Sequence, residues 1–167
     1  MAIRKIITIG NDKLRMISKP VTKFNPRLQT FLDDLLDTMR ENNGAGLAAP
    51  QVGVLKRCCV VEVGEQTFQL VNPEIIAAEG EQSGSEGCLS VPERVGFVKR
   101  PMKVTVRAQN AKGEFFEATG EGFCARALCH EIDHLNGVLY VDIMDHEIFY
   151  DEDDLEEEEN GDEQETL

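Results

Sequence analysis

Between residues 25 and 44 apolar side chains recur at helical spacing, with Leu28, Phe31, Leu32, Leu35, Leu36 and Met39 on one stripe. Asn25-Pro26 ahead of the stripe supplies an N-cap and a proline for the first helical position. Glu41-Asn42-Asn43-Gly44 supplies the stop. The period then changes. Segments 58–63 (CCVVEV), 67–71 (TFQLV) and 103–108 (KVTVRA) are β-prone, and 114–119 (EFFEAT) is expected to pair with 103–108 across the Asn110–Gly113 turn. Asn72-Pro73 is expected to break a strand, with another over 74–78. Residues 44–53 (GAGLAAPQVG) are too small and glycine-rich for a good helix or strand, and 79–87 (EGEQSGSEG) reads as loop. A second helix is expected from Phe123 to Leu135, ended by Asn136-Gly137, with a final strand or extended piece over 138–143.

Helix, several short strands, then helix, without regular alternation, predicts an α+β fold. Its strands are mostly antiparallel and pack around the C-terminal helix, with the N-terminal helix amphipathic. The 167 residues suffice for one core, expected over 1–148. Residues 149–167 are expected to form an acidic, disordered tail.

Charge sharpens this division. The formal net charge is −14, but residues 151–167 hold eleven acids and no base, which leaves −3 on the rest. A near-neutral body argues against a broad nucleic-acid surface, so direct DNA binding is not expected. No stretch approaches the roughly 20 apolar residues of a membrane span. The start, MAIRKIITIG, lacks the features of a signal peptide. A cytoplasmic monomer without membrane contact is the expectation. Five cysteines, an odd count, give no disulfide framework.

Two of the chain's three histidines fall in HEIDH, residues 130–134. On a helix, positions four apart lie about 40° apart around the axis, so His130 and His134 can hold one ion. Glu131, about 60° from His134 around the axis, can reach a water at that ion without being a ligand. The third ligand decides the chemistry. A zinc peptidase of the HExxHxxGxxH kind needs histidine at position 140, where this chain has Tyr140. One with a downstream glutamate ligand would draw on Glu156 to Glu159, in a segment without an apolar face to dock. His146 lies near the edge of the fold. Cys58, Cys59, Cys124 and Cys129 read as small core residues. Cys88, in SEGCLSVP, stands on a loop or strand edge beside Gly87, and a thiolate is a strong ligand. Cys88, His130 and His134 would leave a fourth position open, as a catalytic site requires. A non-catalytic metal module would need a fourth protein ligand, and none is well placed.

Three stretches together, GAGLAAPQVG at 44–53, EGCLSVP at 86–92 and HEIDH at 130–134, resemble the peptide deformylase family over residues 3–145. The resemblance implies a metal-dependent hydrolase that removes the formyl group from the N-terminal formylmethionine of new polypeptides. It implies Cys88, His130 and His134 as metal ligands and Glu131 as general acid and base. Gln51 and the Leu89 N–H would stabilise the oxyanion. Ala45 and Gly46 would bind the peptide main chain, Phe123 and Ala127 would line the methionine pocket, and Glu86 would pair with Arg100 to brace the metal loop. The ligand set by itself suits zinc; the resemblance implies ferrous iron (Fe2+) in the cell, with nickel or cobalt as working replacements. The partners implied are N-formylmethionyl nascent peptides and a transient ribosome contact. The acidic end, which RNA would repel, departs from relatives with a basic C-terminal helix. Cys129 stands where many relatives have glutamine.

Overall fold

The Asn25-Pro26 signal and the stripe behind it build helix α1, Pro26–Glu41, in the computed structural model, which describes residues 2–150 and 166–167. Asn25 is extended and its side chain accepts the Leu28 N–H at 3.2 Å. Leu28, Phe31, Leu32, Leu35 and Met39 are buried along one face. At the other end Asn43, not Gly44, takes the left-handed conformation (φ 56°), and the Gly44 N–H returns to the Met39 carbonyl at 3.0 Å.

The strands among the described residues are β1 (Gly46–Ala48), β2 (Cys58–Val63), β3 (Gln66–Glu79), β4 (Gln82–Cys88), β5 (Val91–Arg100), β6 (Lys103–Gln109), β7 (Phe115–Glu121) and β8 (His146–Ile148). They form two antiparallel sheets, ordered β1-β2-β3-β6-β7 and β4-β5-β8. The expected 103–108 and 114–119 hairpin is present, with Lys103 opposite Glu121.

The adjacent cysteines of β2 show how the core is divided. Cys58 lies with Val60, Leu32, Leu35 and Met39 on the α1 face of the sheet, whereas Cys59 lies with Val61 and Leu70 on the opposite face. That second face is covered by helix α2, Phe123–Leu135, whose residues are buried nearly all round. Such burial suits a helix held inside a domain. Close seating of α2 on β7 depends on Gly120: a Cβ there would meet Cys124 Sγ at 2.7 Å and Leu128 Cδ1 at 2.9 Å.

Four expectations about elements are corrected. Residues 44–53 contain strand β1 and a 3₁₀ turn over Ala49–Val52; the strand comes from its pairing with β2 rather than from propensity. Residues 82–88, expected as loop, are β4, paired along its length with β5. Asn72-Pro73 does not end β3. The pairing with β6 shifts between Val71 and Glu74, so the missing proline N–H falls at the irregularity. Asn72 (φ 50°) is held there by bonds to Val21 and Gln109. Finally, the piece over 138–143 contains a short helix, α3 (Tyr140–Ile143), and the last strand comes after it.

Of the expected disordered tail, residues 151–165 lie outside the described residues. Its end does not fit that expectation. Thr166 forms a parallel bridge with Gly44, and Leu167 is fully buried in the α2-side core. Among the described residues no helix is long and apolar enough to cross a membrane.

Candidate metal centre and active site

α2 carries His130 and His134 one turn apart on the side that meets β4, and β4 ends on Cys88 in front of them. All three are buried. His134 Nε2 lies 3.2 Å from His130 Nε2 and 3.4 Å from Cys88 Sγ, and the three donor atoms fall within 4.8 Å of one another. One ion held tetrahedrally at ordinary zinc distances would put two nitrogens about 3.3 Å apart and nitrogen and sulfur about 3.6 Å apart. The residues therefore fit a metal.

Behind the donors lies a buried ionic cluster. Glu86, two residues before Cys88 on β4, accepts from Arg100 Nε (3.1 Å) and Nη2 (2.6 Å), from Arg126 Nη1 (2.8 Å) and from His130 Nδ1 (2.5 Å). Arg100 also donates through Nη1 to Asp133 at 2.6 Å. The carboxylate fixes the His130 proton on Nδ1, which leaves the Nε2 lone pair facing Cys88 and His134. Burial works to raise the pKa of Glu86, but His130 and Arg100 outweigh it and hold the carboxyl far below its usual range. This anion stays charged at any working pH.

Glu131 is in the opposite situation. It is fully buried, neither carboxylate oxygen has a hydrogen-bond partner among the described residues, and burial pushes its pKa up to about 7. Its Oε1 lies 4.0 Å from His130 Nε2. The carboxylate is pressed against β1: a Cβ on Gly46 would meet Oε1 at 2.5 Å and Cγ at 2.7 Å. Glycine at 46 thus makes room for Glu131. Gln51 is buried in the 3₁₀ turn. Its Oε1 accepts the Ala48 N–H at 2.9 Å, and its Nε2 donates to Ser90 Oγ at 3.0 Å and toward Cys88 Sγ at 3.6 Å. The Ala48 N–H thus turns the amide so that its N–H₂ faces the donor cluster.

The remaining expected residues surround this centre. Ala45 and Ala127 belong to the α2-side core and Phe123 packs, partly exposed, against it. The N–H groups of Ala45 and Leu89 donate to Thr166 O (2.7 Å) and Leu167 O (3.0 Å). Among the described residues the rival third ligands do not reach the site. Tyr140 is buried, and its hydroxyl donates to the Arg94 carbonyl at 2.9 Å. His146 is exposed on β8, stacked on Phe97 at 5.1 Å. Glu156 to Glu159 lie outside the described residues.

Comparison with known proteins settles the family. The polypeptide deformylase profile matches residues 3–148. The chain belongs to the polypeptide deformylase family. Peptide deformylase from Heliobacterium modesticaldum is 54% identical over 147 residues, which cover 88% of this chain and 97% of that protein. The crystal structure of peptide deformylase from Thermotoga maritima is similar with a TM-score of 0.84 at 40% identity, over 86% of this chain and 99% of that one. A Met-Ala-Ser-bound peptide deformylase from Acinetobacter baumannii is similar at 0.81 and 36% identity, over 86% and 99%.

Within this deformylase fold, sequence reading missed Arg126, Asp133 and Ser90. Arg126 had a local signal: it is the one Arg or Lys in helix Phe123–Leu135 and stands four residues before His130 on the same face. Ser90 had none, since its bond to Gln51 joins β4–β5 to a turn 39 residues away.

Proposed function

We propose that this deformylase holds one divalent metal ion on Cys88, His130 and His134 and uses Glu131 as its general acid and base. The observation that carries the proposal is the convergence of one sulfur and two imidazole nitrogens beside a buried carboxylate without a hydrogen-bond partner among the described residues. The reaction is removal of the N-formyl group from the start of a new polypeptide. Water adds to the formyl carbon, the carbon–nitrogen bond breaks, and formate and a free amine leave. A bound ion supplies polarisation of the formyl carbonyl and activation of water.

The chain's residues do the rest. A carboxylate whose pKa lies near 7 can take a proton from the attacking water and pass it to the departing nitrogen. Gln51 Nε2 and the Leu89 N–H are neutral donors where negative charge develops on the formyl oxygen. Ala45 and Gly46 offer main-chain bonds to an extended peptide in the manner of an added strand. Phe123 and Ala127 form an apolar wall for the methionine side chain. The Met-Ala-Ser complex of the Acinetobacter relative supports a methionine-led peptide as ligand. Glu86 and Arg100, with Arg126 behind them, hold His130 in orientation. In the cell the ion is ferrous iron, with zinc, nickel or cobalt able to replace it. The catalytic domain is 1–148, and the enzyme works as a cytoplasmic monomer with transient access to the ribosome.

The test is formate release from a formyl-Met peptide by protein purified without air, at graded metal loading. Turnover proportional to bound metal, and lost with metal in Cys88→Ser, supports the reading. A metal-free sample with full turnover would overturn it.

A further inference from the structure

Thr166 and Leu167 are seated in the cleft that the proposed function gives to the substrate. We infer that the cleft has a second class of ligand: a peptide carrying Thr-Leu, entered in the reverse direction and supplied by the chain's own Thr166 and Leu167.

The contacts are those of a bound strand. Thr166 bridges Gly44 in parallel, its carbonyl accepts the Ala45 N–H at 2.7 Å, and the Leu167 main-chain oxygen accepts the Leu89 N–H at 3.0 Å. The Leu167 side chain is fully buried in the cluster that includes Ala45, Ala127, Cys129 and Ile132. Both N–H groups would be needed by substrate, Ala45 for the peptide main chain and Leu89 for the oxyanion. A leucine side chain is close in size and polarity to methionine. The direction, however, differs from that of a substrate. A formylated peptide presents its amino end to Glu131. Thr166–Leu167 runs parallel to the 44–46 segment and brings its carboxyl side to Leu89. No formyl group is presented, so the segment occupies the cleft without being processed.

The inference rests on the assignment of this cleft to substrate, and it makes the segment a competitor. Full-length, metal-loaded enzyme is compared with Leu167→Asp, a variant outside the catalytic machinery. Apparent KM for a formyl-Met peptide is expected to fall about tenfold with kcat unchanged, because a saturating substrate displaces the segment completely. A synthetic peptide of residues 158–167 is expected to inhibit Leu167→Asp competitively. Independently of activity, amide exchange in the zinc-loaded protein is expected to quicken at Ala45 and Leu89 in Leu167→Asp. Unchanged KM together with unchanged exchange at these two amides would overturn the inference while leaving deformylation intact. If instead neither protein releases formate, the functional reading fails, and the exchange measurement still decides whether the segment is bound.

Discussion

Replacing Glu86 by glutamine keeps the shape of a fully buried side chain and removes its charge. The carboxylate accepts four hydrogen bonds, two from Arg100, one from Arg126 and one from His130. Each such charge-assisted bond is worth about 1.5–3 kcal/mol, although bonds sharing one acceptor do not add. Removing one partner from a buried ion cluster costs about 3–5 kcal/mol, because the partner charge stays buried. Here Arg100 would keep Asp133, whose side chain is 30% exposed, and Arg126 would keep the Val98 carbonyl. The lower end, ~3 kcal/mol, is expected for glutamine, since its carbonyl can still accept. With a urea dependence of about 1–3 kcal/mol per molar, the unfolding midpoint should drop by about 1–3 M. His130 loses its orienting acceptor at the same time, so metal affinity should fall about 10- to 100-fold. Urea unfolding of the metal-free proteins isolates the first effect, and competition against a chelator measures the second. An unchanged midpoint and unchanged affinity in Glu86→Gln would refute the claim that this cluster braces the site.

Gly46→Ala would drive a methyl group into the Glu131 carboxylate, with Oε1 2.5 Å from the new carbon; formate turnover should fall about 100-fold while bound metal, measured by elemental analysis, stays at the wild-type level. Asn25→Ala removes the α1 cap and should cost ~1 kcal/mol, read as a melting point lower by about 2–4 °C. For Asp34 burial acts to raise the pKa, but the Ala2 N–H and the Arg4 guanidinium outweigh it and hold the carboxyl below its usual value. Its contribution to stability is therefore full above the unfolded pKa of about 3.9 and is lost as pH falls through the lower folded value. Urea unfolding of wild type and Asp34→Asn should differ at pH 7 and converge in strong acid.

What the sequence revealed was what local spacing can carry. Asn25-Pro26 and the stripe from Leu28 to Met39 mark α1 because capping and one-sided burial act within a few turns. HEIDH marks the helix of the candidate metal site for the same reason, as i and i+4 share a face. β4 was illegible because Gln82-Ser83-Gly84-Ser85 has no strand propensity; its conformation comes from the bonds of β5, which no local pattern reports. The second sheet that carries Cys88 was therefore unforeseen, although Cys88 itself stood out as the cysteine outside a core pattern. Arg100 was expected against Glu86, whereas the third and fourth charges, Arg126 and Asp133, emerge only when α2 is packed on β4 and β5. Charge repulsion was the whole basis for reading residues 149–167 as a tail, and it passed over Leu167, one apolar side chain for which the fold holds a site.

The central claim is that Glu131 moves protons at a metal held by Cys88, His130 and His134. Metal stoichiometry and formate turnover, measured side by side for wild type and Glu131→Ala, test it most directly. The expected result is one ion per chain in both proteins, with turnover at least about 100-fold lower in the variant. Glu131→Ala with near-wild-type turnover, or wild type that turns over without an ion, would contradict the account.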